Sequence, residues 1–374
     1  MKLCIITGEA SGDLHASHAV QALRSRVENL ECFGVGGDRL RKQDMELLYH
    51  VRDLAIVGLF NVLRHIPMYR RVMASIEREV RERRPDAIIL VDFPDFNLRL
   101  AKRLRRLGIP ILYYISPQVW AWRKRRVREI ARNVDHMMVI FPFEEEFFRM
   151  EGVPVSFVGH PLGEQLRTLA PDAPRGVPEE RLRVALLPGS RSMEIDSLLP
   201  AMLGATEILS RSRQVEVFLI QASTIEIDRL ERAAGKPLDH VSIVADDGAK
   251  TLRECDVAMA SSGTATLEAA ILGVPMVVMY RLSPLTYALA RHLVDLEHFS
   301  LVNIVAGRRV VPELLQRDVE PNMIAEEIEK LVEPGCYRQT VEGLKEVREK
   351  LGDEPVGENV AQIILQCVEE ARSS

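Results

Sequence analysis

Short apolar runs alternate with longer stretches of helical period in two successive series along the chain. Strands that alternate with helices in this way form βαβ units and a parallel sheet. The proline-rich segment 171–178 separates the two series and is interpreted as a linker. The sequence therefore predicts two α/β domains, at 1–170 and 179–350, followed by a C-terminal segment at 351–374. The predicted strands are 3–7, 31–35, 87–91, 111–115, 136–140 and 155–158 in the first domain and 184–187, 215–221, 241–244, 257–260 and 276–279 in the second.

Size and cysteine content agree with a two-domain protein of a reducing compartment. A chain of 374 residues with 47% hydrophobic residues exceeds the size at which a single core usually stops growing. The five cysteines are scattered and form no CxxC pair, so neither a disulfide framework nor a zinc site is indicated. The apolar run between Lys2 and Glu9 has only the length of a strand, which is too short for a signal peptide. We expect a cytoplasmic protein.

Charge is distributed unevenly within the net charge of −5. Residues 1–165 are net basic and the remainder is net acidic. A basic first domain is compatible with an anionic membrane surface or an anionic substrate. Nucleic acid fits less well, because few aromatic residues lie among the basic ones and no known binding module is present. We therefore expect no nucleic-acid partner.

A polar turn with two glycines follows the first predicted strand and opens a helix. Glycine permits tight backbone geometry, Ser11 or Asp13 can cap the helix, and free N–H groups at a helix start favour an anion or a polar sugar. The alternative is an ordinary strand-to-helix turn, because the segment has neither the GxGxxG order of a dinucleotide site nor a Walker lysine. The candidate binding residues are Gly8, Glu9, Ser11, Gly12 and Asp13, with His15 one turn later.

Two turns of the second domain have residues suited to a phosphate site. The first, 186–191, ends a buried strand in Gly189, Ser190 and Arg191, where backbone N–H groups and a guanidinium can face phosphate. The second offers hydroxyls and a helix N-terminus at Ser261, Ser262, Gly263 and Thr264, with Glu268 one turn into the helix. The alternative is a surface arginine at a strand-end turn and an acid that complements the helix dipole. These turns, with Asp92 and Ser116, follow predicted strands at their carboxyl ends, where open α/β sheets bind ligands.

Six segments together carry a resemblance to one enzyme family. They are GEASGDLHA at 8–16, DFPDFN at 92–97, SPQVWAWR at 116–123, LPGSRSME at 187–194, SSGTATLE at 261–268 and NIVAGR at 303–308. In this order they resemble lipid-A-disaccharide synthase, an inverting glycosyltransferase of bacterial outer-membrane biosynthesis. The resemblance implies the GT-B architecture, in which two Rossmann-like domains face a cleft and a C-terminal helix returns to the first domain.

The resemblance also implies a reaction. UDP-2,3-diacylglucosamine donates its sugar to the 6-hydroxyl of 2,3-diacylglucosamine 1-phosphate, giving the β-1,6-linked disaccharide 1-phosphate and UDP. The expected partners are therefore a UDP-sugar, an acylated sugar phosphate and the surface of the inner membrane, and a homodimer is compatible with the resemblance. No Asp-x-Asp motif of metal-dependent transferases stands out, so we expect neither a metal nor another cofactor.

A catalytic base is needed because a sugar hydroxyl that attacks an anomeric carbon must lose a proton, and a nearby carboxylate is sufficient. Asp92 directly ends an apolar run, whereas Asp95 follows Pro94 where a helix N-cap would lie. We assign Asp92 as the base and Asp95 as the cap, with His15 as a rival base or a substrate contact. By resemblance, Glu268 binds the nucleotide ribose, and Ser116, which follows a predicted strand, is a candidate substrate-binding residue. Asn303, Gly307 and Arg308 are assigned to the nucleotide end of the cleft by resemblance alone.

The lipid character of the substrates has a counterpart in the apolar run 54–63, which is followed by Arg64, His65, Arg70 and Arg71. Ten residues cannot span a bilayer, but they can lie in its surface or line a pocket for acyl chains. A buried core helix is the alternative. The basic residues at 123–128 are either a solvated helix face or a contact for lipid phosphate, and Trp120 and Trp122 are either core residues or interface anchors.

A terminal helix is predicted from an apolar stripe at three- and four-residue spacing, formed by Val360, Ile363, Ile364, Cys367, Val368 and Ala371.

Three other functions compete with the transferase. A nucleotide-sugar epimerase would lack an acyl surface in its first domain, and a non-catalytic lipid or nucleotide binder would tolerate loss of Asp92. An NAD oxidoreductase lacks its glycine fingerprint here.

Overall fold

The structure is a computed structural model of the chain. It describes residues 1–373 except 56–61, 118–123, 172, 174, 179–180, 223, 236, 284–286 and 288–296. Internal contacts divide the chain into two compact units. Unit 1 consists of Met1–Pro161 and Glu354–Ser374, and unit 2 consists of Leu162–Asp353.

Strands and helices alternate along unit 1, and the last helix of the chain joins them. The elements are β1 (Lys2–Thr7), α1 (Ala10–Arg24), β2 (Glu31–Gly36), α2 (Asp38–Arg41), β3 (Glu46–His50), α3 (Val51–Ala55), α4 (Val62–Arg83), β4 (Ala87–Val91), α5 (Pro94–Leu104), β5 (Ile111–Tyr114), α6 (Lys124–Asn133), β6 (His136–Val139), α7 (Pro142–Met150), β7 (Val155–Phe157) and, at the C-terminus, α16 (Val356–Ser373). A short 3-10 helix, Arg105–Leu107, follows α5.

Unit 2 repeats the same alternation. Its elements are α8 (Pro161–Leu166, beginning at the last residue of unit 1), β8 (Arg181–Leu187), α9 (Ser192–Leu209), β9 (Gln214–Ile220), α10 (Ile227–Ala234), β10 (Val241–Val244), α11 (Gly248–Glu254), β11 (Val257–Ser261), α12 (Thr264–Ile271), β12 (Met276–Tyr280), α13 (Leu301–Ala306), β13 (Glu313–Leu315), α14 (Pro321–Leu331) and α15 (Pro334–Leu351). A 3-10 helix, Gln316–Asp318, follows β13.

The described strands of unit 1 form one parallel sheet in the order β3-β2-β1-β4-β5-β6-β7. The chain builds outward from β1 to β3 and then continues on the other side of β1 with β4. The order therefore reverses between β1 and β4, where Thr7 pairs with Val91. Open α/β sheets bind ligands outside the carboxyl ends of the strands at such a switch point.

The described strands of unit 2 form a second parallel sheet in the order β10-β9-β8-β11-β12-β13. Here the order reverses between β8 and β11, where Leu187 pairs with Ala260. The predicted fold class is confirmed, and each predicted strand is present in the described residues. Strands β3 and β13 were not predicted, because β3 is a partly buried edge strand of mixed polarity and β13 has only three residues.

The C-terminal helix α16 packs against α1 in unit 1. Its side chains Val360, Ala361, Ile364 and Val368 are at most 2% exposed and belong to the same apolar cluster as Leu3 of β1. The amide of Asn359 donates a hydrogen bond to the carbonyl of Val158 at 3.1 Å. The predicted return of this helix to the first domain is confirmed.

Candidate active site

Two turns meet at the switch point of unit 1, one after β1 and one after β4. A Cβ atom on Gly8 would clash with the ring of Phe93, so the close approach of these turns requires glycine at position 8. Asp92 immediately precedes Phe93, and Glu9 follows Gly8. The structure therefore brings together the Gly8–Glu9 turn and the predicted base.

Strained backbone is concentrated at this edge of the sheet. Asp92 and Phe93 have φ values of +48° and +51°, and Ile115, which follows β5, has φ +64°. The left-handed conformation costs a non-glycine residue about 1–2 kcal/mol, and a β-branched residue such as isoleucine rarely adopts it. Strain of this kind persists where the surrounding structure enforces it, and it clusters at active sites.

Asp92 lies in an environment that favours its protonated form. Burial raises the pKa of the Asp92 carboxyl above its ordinary value. The backbone N–H of Phe93 lowers this pKa, whereas the negative charge of Glu9 raises it further. A carboxylate with a raised pKa is a stronger proton acceptor than an ordinary one.

Two histidines lie close together in unit 1. Burial, with a smaller contribution from His18, lowers the pKa of His15 to about 4. Burial, with a smaller contribution from His15, lowers the pKa of His160 to about 4. The ring of His160 also packs against Phe141, with 5.0 Å between the ring centroids. Both imidazoles are neutral at neutral pH, so each can donate one hydrogen bond and accept another.

Asp13 has a structural role instead of the predicted cap of α1. Helix α1 begins at Ala10 with Glu9 in the N-cap position, so Ser11 and Asp13 lie inside its first turn and the predicted caps are wrong. The Asp13 carboxylate is 3% exposed. It accepts hydrogen bonds from the N–H groups of Gly37, Arg39 and Leu40, at 2.6, 3.0 and 3.3 Å. Asp13 therefore caps α2, while Ser11 is exposed and Gly12 is buried against Thr7 and Val91.

The predicted cap at Asp95 is also wrong. Helix α5 begins at Pro94 with Phe93 in the N-cap position, because the left-handed turn starts the helix two residues earlier than predicted. Asp95 lies in the first helical turn, and its carboxylate pairs with Arg126 of α6.

The Ser116 hydroxyl donates a hydrogen bond to the buried Glu144 at 2.5 Å. Ser116 thus supports the edge of the sheet through its hydroxyl.

In unit 2, the turn after β8 surrounds a carboxylate of its own chain. The backbone N–H groups of Ser190 and Arg191 donate to Glu194 Oε2 at 3.2 and 3.3 Å. Arg191 Nη1 donates to Glu194 Oε1 at 3.0 Å. The side chain of Arg191 is 77% exposed, and an exposed ion pair contributes about 0–1 kcal/mol. The turn, which begins at Gly189, therefore has the donors of an anion site, with Glu194 as the present acceptor.

The turn after β11 has a buried hydroxyl that lacks a partner. Ser261 Oγ is buried and makes no hydrogen bond within the described part of the chain. Ser262 Oγ donates to the carbonyl of Phe299 at 3.2 Å, Gly263 is the N-cap of α12, and Thr264 begins this helix. Glu268 is partly buried one turn later, and burial raises its pKa. The N–H groups of a helix start, a buried hydroxyl and a carboxylate thus lie just before and within the first turns of one helix.

The structure does not place the whole segment from Asn303 to Arg308 near these turns. Asn303 is fully buried, and its side chain bonds to Val310, Val311 and Glu313. Gly307 ends α13 with φ +74°, and Arg308 pairs with Glu346 at 2.7 Å. Gly307 and Arg308 precede the amino end of β13, whereas the turns of the site follow carboxyl ends of strands.

Comparison with known proteins decides the family. A family model described as lipid-A-disaccharide synthetase matches residues 3–366. The lipid-A-disaccharide synthase of Anaeromyxobacter dehalogenans strain 2CP-C is 44% identical over 371 residues, which is 97% of each chain. That of Myxococcus xanthus strain DK1622 is 41% identical over 380 residues, covering 99% of this chain and 98% of its own. The chain belongs to the lipid-A-disaccharide synthase family.

This membership confirms the resemblance seen in the six motifs, and with it a hexosyltransferase activity in lipid A biosynthesis. Solved structures that resemble the fold include Acinetobacter baumannii MurG, with a TM-score of 0.58, 14% identity and coverage of 98% of this chain and 99% of its own. The UDP-GlcNAc 2-epimerase of Neisseria meningitidis also has a TM-score of 0.58, with 12% identity and coverage of 99% and 100%. The GT-B fold of lipid-A-disaccharide synthases is thus shared with epimerases. The fold alone therefore does not distinguish the predicted transferase from the alternative epimerase, whereas the family membership does.

Membrane-related predictions for this family member fall partly outside the described residues. Positions 56–61 of the apolar run 54–63 lie outside them, as do Trp120, Trp122 and Arg123. Among the helices that the structure describes, none is both long and apolar enough to span a bilayer.

The sequence reasoning missed several residues that support the site. Tyr113 and Asn97 hold the turn at Asp92, His160 lies beside His15, and Glu194 fills the anion turn of unit 2. His160 follows a glycine just after a strand, which is a usable signal. Tyr113 lies within an apolar strand and carried no such signal.

Proposed function

We propose that this chain transfers the sugar of UDP-2,3-diacylglucosamine to the 6-hydroxyl of 2,3-diacylglucosamine 1-phosphate, releasing UDP. Unit 1 binds the acceptor and supplies the base, and unit 2 binds the nucleotide. The observation that carries this division is the position of the motifs, because Gly8 and Asp92 lie at one switch point and Arg191 and Ser261 at the other. Family membership supports the reaction itself.

Asp92 acts as the general base in this proposal. The acceptor hydroxyl oxygen forms a bond to the anomeric carbon of the donor, its proton passes to the Asp92 carboxylate, and the bond from that carbon to UDP breaks. A single displacement of this kind inverts the anomeric configuration. Support comes from the raised pKa of Asp92, which burial and the charge of Glu9 produce, and from the strained turn that carries the carboxylate. Neutral His15 provides a hydrogen-bonding contact for the acceptor.

The nucleotide site uses groups that can exchange their present partners. The diphosphate accepts from the N–H groups of Ser190 and Arg191 in place of Glu194, whose exposed pair with Arg191 is weak. The unpartnered hydroxyl of Ser261 and the start of α12 offer further donors. Glu268 accepts from the ribose hydroxyls.

Replacing Arg191 with alanine is expected to weaken UDP binding about tenfold or more and to lower kcat as well. A charge-assisted hydrogen bond to phosphate is worth roughly 1.5–3 kcal/mol, and it acts on the leaving group both before and during departure. Isothermal titration with UDP and steady-state release of UDP measure the two effects. Arg213→Ala is the control, because Arg213 of unit 2 pairs with Glu329 away from the turn. Unchanged UDP affinity of the Arg191 variant would remove Arg191 from the phosphate site.

We also propose peripheral association with the inner membrane through the α4 side of unit 1. An aromatic cluster joins the Asp92 turn to α4: Phe93 stacks on Phe96 with centroids 5.3 Å apart, and Tyr69 of α4 lies 5.8 Å from Phe96. Arg70 and Arg71 are exposed on the same helix. In the sequence the apolar run 54–63 comes shortly before these cations, and an apolar segment beside exposed cations is suited to an anionic lipid surface. A homodimer, which is compatible with the resemblance, is tested by sedimentation equilibrium.

The double variant Leu59→Glu/Phe60→Glu is expected to bind anionic vesicles more weakly with little change in Tm. Two added carboxylates oppose both apolar insertion and attraction to anionic lipid. Co-sedimentation with phosphatidylglycerol vesicles measures the effect. Met323→Glu is the control, since Met323 is an exposed apolar residue of unit 2. Unfolding of the double variant would instead support the core-helix interpretation, and unchanged co-sedimentation would exclude this run from the contact.

A further inference from the structure

Two buried side chains hold the backbone carbonyl of Asp92. Tyr113 Oη donates to this oxygen at 2.6 Å, and Asn97 Nδ2 donates to it at 2.7 Å. Tyr113 belongs to β5 and Asn97 to the second turn of α5, and both side chains are fully buried. A carbonyl oxygen has two lone pairs, so the two donors satisfy it completely.

The two bonds act on a peptide with an unfavourable conformation. Asp92 and Phe93 are consecutive left-handed residues, neither of which is glycine. Such a pair persists only where its surroundings enforce it. The same turn presents the N–H of Phe93 to the Asp92 carboxylate, and this contact lowers the pKa that burial raises. The carbonyl and the carboxylate of Asp92 are thus held by one turn.

Stability alone does not account for Asn97. Its amide nitrogen donates to the carbonyls of Asp92 and Val91, but its Oδ1 atom is buried without a hydrogen-bond partner in the described part of the chain. A buried acceptor with no donor costs free energy that an apolar side chain would avoid. The side chain therefore points to a requirement at the turn it holds.

We propose that Tyr113 and Asn97 are positioning residues of the transfer reaction, which hold the Asp92 carbonyl and so keep the Asp92 carboxylate directed at the acceptor hydroxyl. This inference rests on the proposed role of Asp92 as the base. Among the described residues, the charged groups around the turn are Glu9 at the start of α1 and the pair of Asp95 and Arg126 from α5 and α6. They are retained in the variants below.

Tyr113→Phe removes one hydroxyl and keeps the ring. We expect kcat to fall about tenfold, which corresponds to about 1.4 kcal/mol in the barrier, with KM for both substrates unchanged. We also expect the acid limb of the kcat/KM profile to move to higher pH, because a looser turn weakens the contact of Phe93 N–H with the carboxylate. Asn97→Ala should change kcat and the acid limb in the same direction.

Tyr337→Phe is the matched control. Tyr337 is fully buried in unit 2, and its hydroxyl also donates to the backbone carbonyl of an aspartate, Asp256, at 3.1 Å. This variant should lose a similar amount of stability and keep the wild-type kcat and acid limb. A wild-type kcat and acid limb for Tyr113→Phe would overturn the inference. A decrease in kcat for Tyr113→Phe that is no larger than the decrease for Tyr337→Phe would also overturn it. If Tyr113→Phe does not fold, Asn97→Ala decides by the same two readouts.

A double variant separates this inference from the proposed function. In an Asp92→Asn background the base is absent, so adding Tyr113→Phe should not lower kcat further. Full turnover by Asp92→Asn alone would overturn the role of Asp92 itself. If Asp92→Asn loses turnover while Tyr113→Phe keeps the wild-type kcat and acid limb, only the positioning role would be overturned.

Discussion

Replacing Asp92 with asparagine is expected to lower kcat at least about 100-fold while leaving UDP affinity and the fold nearly unchanged. An amide cannot accept the proton of the acceptor hydroxyl, and removal of a general base typically has an effect of this size. Asparagine tolerates the left-handed conformation that position 92 requires. The UDP site is assigned to unit 2, which the substitution does not touch. Steady-state release of UDP and titration with UDP measure the two quantities.

Asp95→Asn is the matched control for this experiment. It makes the same chemical change three residues later, at an exposed carboxylate that pairs with Arg126. An exposed pair contributes about 0–1 kcal/mol, so the control should keep near-normal kcat and Tm. If the Asp92 variant turned over at the rate of the control, Asp92 would not be the base.

The Asp92 variant should lose activity without losing stability. Burial raises the pKa of Asp92 in the folded state, so the ionised carboxylate lowers stability at pH values above that pKa. The Asp92 side chain makes its full favourable contribution to stability below its pKa in the unfolded state. This contribution is lost as the pH rises through the pKa in the folded state. At neutral pH asparagine removes this cost, and Tm should stay the same or rise. The wild-type enzyme should lose activity as the pH falls through the raised pKa.

The fold could be predicted because strands of a parallel sheet are buried on both faces and form continuous apolar runs. The run at β4, Ala87–Val91, is fully buried and was predicted with its observed bounds. Strand β3 was not predicted, since an edge strand that is only partly buried has no such run. The switch points followed once the order of pairing was known, and that order depends on contacts distant in sequence.

The positions of Gly8, Asp92 and Ser261 at strand ends could be predicted, because each lies at the end of an apolar run. Local rules failed where a long-range contact decides the geometry. Asp13 has the residue type of a cap for its own helix, yet its carboxylate binds the N–H groups of α2, 24 to 27 residues later. Asp95 follows Pro94 as a cap would, but the left-handed Phe93 starts the helix earlier.

Truncation of the chain after Leu351 is expected to unfold or aggregate unit 1, although every motif of the site remains. The deletion removes α16, in which Val356, Val360, Ile364 and Val368 are at most 2% exposed. Burial of such side chains stabilises by about 1.5–3 kcal/mol each, and four of them approach the whole stability of a typical domain, about 5–15 kcal/mol. Size-exclusion chromatography and UDP release measure the outcome. A soluble and fully active truncated protein would show that α16 is dispensable.

A single substitution tests the same contact in the full-length chain. A Cβ atom at Gly357, in the first turn of α16, would lie 2.9 Å from the carbonyl carbon and oxygen of His18 in α1. Backbone atoms cannot move aside as a flexible side chain can, so Gly357→Ala should separate the two helices and lower stability by roughly 1–3 kcal/mol. Gly335→Ala is the control, because that glycine lies in the first turn of α15 with no atom within 4 Å of the added methyl group. Alanine favours a helix over glycine by about 1 kcal/mol, so the control should keep or gain Tm. A Gly357→Ala variant with the Tm of the control would mean that α16 does not pack tightly on α1, and the effect of truncation would then need another cause.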